Sequence, residues 1–263
     1  MDIRPLDEQV ALVTGAGKRI GREIALTLGR AGAEVVVHYN QSKTEADEVA
    51  TAICAMGRRA VAMRADVSRP KQVDAMFRGV ARRFGRLDLL VNNAGAFFPG
   101  AWDTLTEGDW DRILGADLKG PFFCAQAAAR LMLGKPAEKA GPAKPAGRGA
   151  RPPGGCIINI SSVGGLQAWP GYMHYCTSKA GLIMLTRCLA KALAPRIRVN
   201  SIAPGTILFP GEERDPGMQA VVRATPLQAG GRDVDIAQAV LYLATAEFVT
   251  GHVLVVDGGK SIP

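Results

Sequence analysis

The chain has 263 residues, 48% of them hydrophobic, and a formal net charge of +8. No run of 18 or more apolar residues occurs, which excludes an ordinary membrane-spanning helix. Cys54, Cys124, Cys156, Cys176 and Cys188 are odd in number and lack CxxC spacing, so they are expected to be reduced structural thiols rather than disulfides or a zinc site.

The polar start, Met1 to Gln9 with Pro5, has no apolar signal core, and a cytoplasmic location is expected. Val10–Val13 then reads as a short strand ending in a glycine turn, and Ile20–Gly32 as a helix. Glu34–Tyr39 is a second strand, Thr44–Met56 an amphipathic helix, Ala60–Ala65 a third strand and Lys71–Phe84 a third helix. Leu87–Asn92 reads as a strand, and Asp109–Leu133 as a long helix with a possible break near Gly120-Pro121. Cys156–Ser161 is a fifth strand, Tyr172–Leu193 a long helix and Ile197–Ala203 a sixth strand. Val234–Ala244 follows as a helix and Val253–Val256 as a last strand. Continuous Val/Ile/Leu strands alternating with helices predict an α/β fold, a doubly wound parallel sheet of the Rossmann kind in a single domain.

The stretch Gly134–Gly155 breaks this pattern. It carries Lys135, Lys139, Lys144, Arg148 and Arg151 against Glu138 alone, half of the net charge excess. Its Gly, Pro and Ala content predicts a flexible basic loop, either a solvated tether or an arm for an anionic partner. Because the rest of the chain is only mildly basic, nucleic acid is not expected as a partner.

Thr14-Gly15-Ala16-Gly17-Lys18-Arg19-Ile20-Gly21 lies between the first strand and the first helix. Gly15 permits a tight turn, Gly21 permits close packing, and backbone N–H groups at the helix start face an anion. A ribose-binding carboxylate would be expected about 20 residues on. Instead the second strand ends His38-Tyr39-Asn40-Gln41-Ser42, with no carboxylate until Glu45. These polar groups, with Lys18, Arg19 and Lys43 nearby, fit a 2′-phosphate, so NADPH is the expected cofactor.

Tyr175 and Lys179 fall on one face of a predicted helix. A free tyrosine is a poor acid–base group at neutral pH, but a nearby ammonium favours the phenolate. The pair fits proton donation to a carbonyl or imine as hydride arrives. Ser162, just after the fifth strand, is placed to hold the substrate heteroatom.

With these motifs the chain resembles the short-chain dehydrogenase/reductase family over nearly its whole length. The resemblance rests on Thr14 to Gly21, Asp66 after the third strand, Asn92-Asn93-Ala94-Gly95, Ser162, Tyr175-x-x-x-Lys179 and Pro204-Gly205. It implies that Asp66 and Val67 sit by the adenine and that Asn93, Ala94 and Gly95 line the cofactor. It also implies that Lys179 holds the nicotinamide ribose and that Pro204, Gly205 and Thr206 approach the carboxamide. A homotetramer, joined through the two long helices, is implied as well.

Three details are similar to pteridine reductases: Arg19 in place of the family's usual glycine, the pair His38-Tyr39, and the run Asn92 to Pro99 with Phe97. In that group an aromatic at the position of Phe97 stacks on the pterin, and the arginine lies near the cofactor phosphates and the pterin; a hydrophobic lid is the plainer reading of Phe97. Two departures stand beside them. Ser162 is the ketoreductase choice where some pteridine reductases carry aspartate. Asp117 stands in Asp117-Leu118-Lys119-Gly120, where the family's active-site asparagine is expected, and it lacks the amide's donor. The expected activity is NADPH-dependent hydride transfer to a pterin-like C=N bond or a carbonyl group, of the pteridine-reductase kind. The alternatives are reduction of a 3-oxoacyl thioester or another ketone and, more remotely, a non-catalytic NADPH sensor. The segment from Gly205 through Phe209, Pro210, Glu212 and Glu213 to Thr225 is expected to form a substrate lid.

Overall fold

The computed structural model describes residues 4–134 and 154–262. The basic loop expected over Gly134–Gly155 thus lies largely outside the described residues. Seven strands form one parallel sheet in the order β3-β2-β1-β4-β5-β6-β7. They are β1 (Val10–Val13), β2 (Glu34–Tyr39), β3 (Ala60–Arg64), β4 (Leu89–Asn92), β5 (Gly155–Ile160), β6 (Ile197–Pro204) and β7 (Val253–Val256). The helices between them are α1 (Arg19–Arg30), α2 (Lys43–Ala55), α3 (Pro70–Phe84), α4 (Glu107–Leu114), α5 (Gly120–Met132), α6 (Met173–Leu193), α7 (Pro216–Arg223) and α8 (Asp233–Thr245).

Strand alternation explains why both sheet faces need helices. Ala11 and Val13 point into one core with Val35 and Val37, under Ile24, Leu28, Ile53 and Val240 of α1, α2 and α8. Val10, Leu12 and Val36 point the other way, onto Val73, Phe77, Cys124 and Ala128 of α3 and α5. Each fully buried aliphatic side chain here contributes roughly 1.5–3 kcal/mol relative to exposure. Cys124 and Cys156 behave as buried apolar groups, their thiols pushed up by burial to about 12 and about 11 respectively. Cys54 and Cys188, by contrast, are exposed free thiols.

The break expected near Gly120-Pro121 in the long helix over Asp109–Leu133 is present. It lies upstream of Gly120-Pro121: a π-helical turn, Gly115–Lys119, separates α4 from α5 and carries Asp117. Such turns concentrate at functional sites. Pro121 sits in the first turn of α5, where its missing N–H costs nothing. The lid segment also contains a helix, α7, that its Pro/Gly-rich sequence does not announce. Among the described residues no helix is long and apolar enough to cross a membrane.

Candidate active site

The crossover order places β1 and β4 side by side, so the loops after them meet at the C-terminal edge of the sheet. There the glycine turn is laced to the end of β4. Thr14 Oγ1 accepts the N–H groups of Asn93 and Ala94, each at 2.9 Å, while Asn93 Nδ2 donates to the carbonyls of Thr14 and Gly15 at 2.9 and 3.1 Å. Gly15 holds φ +64°, and a Cβ on Gly21 would lie 2.2 Å from the Gly15 oxygen. Both glycines are therefore steric necessities.

His38 braces the turn from below. Its Nδ1 accepts the Gly15 N–H at 3.0 Å, which leaves Nε2 to donate to the Ala65 carbonyl at 3.0 Å. Burial outweighs the Ala65 bond and the Asp66 charge and lowers its pKa to about 4, so the ring is neutral at physiological pH. Tyr39 is a correction. Strand alternation turns it away from His38 into the core beside α1 and α2, and it does not line the cavity.

Every other predicted site residue borders one cavity of about 1530 Å³. The floor is the turn itself, with Lys18, Arg19 and Ile20. The far wall holds Ser162, Tyr175, Lys179, Asp117, Phe97 and Pro204 to Thr206. The space exceeds what one drug-sized ligand occupies, and a dinucleotide with a second molecule fits it.

The residues present suit a phosphorylated dinucleotide. No side chain caps the N-terminus of α1, and its first turn carries no acid, so its N–H groups remain available to an anion. Arg19 occupies a left-handed φ of +50°, unfavourable for a residue with a Cβ. Both cations are engaged by carboxylates. Lys18 pairs with Glu45 at 2.7 Å and holds that carboxyl below its usual range. Arg19 pairs with Glu212 at 3.4 Å and stacks over Phe209, 4.6 Å from its centroid. Asp66 is turned to its own loop: burial pushes its pKa up, but bonds from the Ser68 hydroxyl and N–H and the Arg69 charge outweigh this.

On the far wall, α6 carries Tyr175 and Lys179. Lys179 Nζ lies 5.5 Å from the Tyr175 ring centroid, 3.1 Å from the Ile160 carbonyl and 2.9 Å from Asp117 Oδ2. Burial opposes its charge, but the Asp117 carboxylate and Tyr175 prevail and hold the ammonium above the ordinary lysine range. The other Asp117 oxygen accepts the Ala96 N–H at 2.7 Å. Ser162, at the end of β5, accepts the Gly164 N–H at 3.0 Å through its hydroxyl oxygen, which leaves its O–H to donate.

The predicted Phe97 is 60% exposed, stacked face to face on Tyr172 at 4.8 Å and edge-on to Tyr175 at 4.9 Å. Residues that the motifs do not point to complete the wall. Trp169 lies nearly parallel to Tyr175 at 6.3 Å. Lys260, after β7, donates to Thr206 Oγ1 at 2.8 Å and lies 5.3 Å from the Trp169 centroid. Partial burial lowers its pKa against the opposing charge of Asp257. Nothing in the local sequence links Trp169, Glu212 and Lys260 to the motif residues; only the tertiary fold does.

The chain is similar to known proteins over nearly its whole length. The family model described as enoyl-(acyl carrier protein) reductase matches residues 15–261. A 3-oxoacyl-[acyl-carrier-protein] reductase of Synechocystis is 37% identical over 258 residues, covering 97% of each chain. A short-chain dehydrogenase of Burkholderia cenocepacia, solved in complex with NADP, is 34% identical with a TM-score of 0.86, over 97% of this chain and 99% of that one. The angucycline C-6 ketoreductase LanV, solved with bound NADP, is 34% identical with a TM-score of 0.86 over 98% of both chains.

Proposed function

Because the chain belongs to the short-chain dehydrogenase/reductase family, we propose that it is an NADPH-dependent ketone reductase with Tyr175 as the proton donor. The observation that carries this reading is the convergence of Ser162, Tyr175 and Lys179 on the wall facing the glycine turn. The turn and the start of α1 would hold the dinucleotide, which would supply the hydride. Ser162 donates a hydrogen bond to the carbonyl oxygen and steadies the charge that grows there. Tyr175 delivers its proton to that oxygen, and Lys179 beside it offsets the charge left on the phenol.

The choice of NADPH rests on the end of β2. No carboxylate stands there for a ribose 2′-OH, and Ser42 and Asn40 border the cavity with Lys18 and Arg19. The ion pairs of those two cations are largely exposed, with Lys18 and Arg19 at 61% and 67% side-chain exposure. Such pairs are worth little and yield readily to a phosphate. The NADP bound by the two solved relatives supports the same choice.

A 3-oxoacyl thioester or other ketone is favoured as substrate by Ser162 and by the relatives' names. The pterin reading, first on sequence, keeps only Arg19 and Phe97 in its support. One face of Phe97 is already covered by Tyr172, and Arg19 is held by Glu212. We place the enzyme in the cytoplasm as a homotetramer, with Trp110, Phe122 and Met184 offering apolar surface on α4, α5 and α6.

The test is NADPH oxidation with four substrates: an acetoacetyl thioester, an aromatic ketone, an enoyl thioester and dihydrobiopterin. Ketone turnover is expected. Turnover of the enoyl thioester or the pterin alone overturns the assignment.

A further inference from the structure

We infer that Asp117 is a positioning residue that sets the proton affinity of Tyr175 through Lys179, keeping the tyrosine protonated, and so able to donate, to higher pH than an uncompensated lysine would allow. The inference rests on Tyr175 as the proton donor and adds a role for the acid behind it.

An ammonium within about 4–6 Å of an acid depresses its pKa by roughly 1–3 units. Lys179 Nζ lies over the Tyr175 ring, 5.5 Å from its centroid, with its charge turned to the aromatic system that carries the phenol. Its charge is not alone, because Asp117 Oδ2 lies 2.9 Å from Nζ and the two side chains are 0% and 7% exposed. With water excluded, screening is weak and the two opposite charges largely cancel when seen from the phenol. Tyr175 therefore faces a neutral pair. An amide at position 117 would leave the full lysine charge acting on it.

The carboxylate is held by one hydrogen bond and one charge. Oδ1 accepts the Ala96 N–H, and Oδ2 faces the ammonium as an ion pair without a hydrogen bond. Gly95 admits it closely: a Cβ there would lie 3.0 and 3.1 Å from the two oxygens. The π turn supplies the placement, since it rotates residue 117 toward α6 without ending the helix. Lys179 keeps its second bond to the Ile160 carbonyl at 3.1 Å, so loss of Asp117 does not release it.

The direction of the effect follows from the proton balance. Ketone reduction uses the Tyr175 proton, while alcohol oxidation needs the phenolate as base. A carboxylate that neutralises Lys179 favours the first and works against the second at any pH near neutrality. Around Tyr175 the other titratable or charged groups are Tyr172 just before α6, His174 on α6, Asp111 and Arg112 from α4, Lys260 after β7, and Arg19 paired with Glu212 across the cavity. None of them changes when position 117 is substituted, so a comparison of variants isolates Asp117.

The test is a titration that needs neither substrate nor NADPH. The protein is labelled with 13Cζ-tyrosine, and the Tyr175 resonance is assigned by its absence in Tyr175→Phe. In Asp117→Asn the Tyr175 midpoint is expected to fall by about one pH unit or more, a tenfold rise in phenolate at a given pH. Asp117→Ser, smaller and still able to accept the Ala96 N–H, is expected to fall likewise and serves if the amide variant does not fold. Asp117→Glu keeps the charge and is expected to stay near the wild-type midpoint. In the assay, the alkaline limb of ketone reduction moves down in pH with the titration. An unchanged midpoint in a folded neutral variant overturns the inference, whether or not the wild-type protein reduces ketones.

Discussion

The turn around Gly15 and the segment from Ile207 to Gly231 face each other across one cavity, yet different forces hold them. The turn is tied by buried bonds from Thr14, His38 and Asn93, and its glycines admit no side chain. The opposite segment hangs from few anchors. Leu208 N–H reaches the Gly231 carbonyl at 2.9 Å, and Thr225 is buried against Gly258. Its helix α7 buries no residue, Leu227 is 74% exposed, and it meets the turn through Arg19, which pairs with Glu212 and stacks over Phe209. Stability is unevenly spread in such a structure, and the weakly packed part is the one that opens. The glycine turn is built into the sheet edge, and the segment opposite it is attached loosely.

The largest effect falls on the wall between the two regions. Tyr175→Phe removes the donor without disturbing the turn. Reduction should fall by about 10²–10⁴-fold while NADPH affinity, read by fluorescence titration, stays near wild type. Equal loss of binding would move Tyr175 from chemistry to cofactor recognition.

The strength of the turn should depend on pH and that of the lid should not. The His38 ring, with a folded pKa of about 4, binds fewer protons than in the unfolded chain. Stability is thus fully present above pH 6.5 and is lost as pH falls toward 4, by about 3 kcal/mol at the limit. Urea unfolding of His38→Asn should show lower stability at pH 7 and a flatter slope through that window. An unaltered slope would assign the acid sensitivity elsewhere.

Gly21→Ala drives a methyl against the Gly15 carbonyl and should cost roughly 1–3 kcal/mol, along with most NADPH binding. An Ala variant with wild-type melting and affinity would show that the turn is less rigid than its contacts imply. Glu212→Gln should produce the smallest change in stability, under about 1 kcal/mol, because the pair is exposed. It should nonetheless tighten NADPH binding a few-fold by freeing Arg19. Weaker binding would mean that Glu212 orients the arginine rather than competing for it.

Much of this was legible because the relevant signals are local. The strands read clearly since a parallel sheet buried on both faces demands unbroken Val, Ile and Leu. Tyr175 and Lys179 read clearly since four residues on a helix share a face. Tyr39 was misplaced because a strand's period of two puts neighbours on opposite faces, and only the register decides which one meets the turn. The π turn had no signature: it adds one residue to a hydrogen-bond ring without requiring Gly or Pro. Asp117 could be flagged as unusual, but its contact with Lys179 depends on that turn. Glu212 and Lys260 lie 193 and 54 positions from Arg19 and Thr206, the residues they meet, beyond the reach of any periodicity.

The strand order has a consequence for how the protein is made. The half-sheet β3-β2-β1-β4, with the turn and its Asn93 lacing, draws only on residues before position 95, whereas the reactive wall waits for residues 160 to 260. A chain leaving the ribosome from its N-terminus therefore completes the anion-binding half first, and for some sixty residues β4 stands as an open edge made of Leu89, Leu90 and Val91. An unpaired apolar edge is a template for association with other chains. The vulnerable moment in the life of this molecule falls between β4 and β5, before any chemistry is possible.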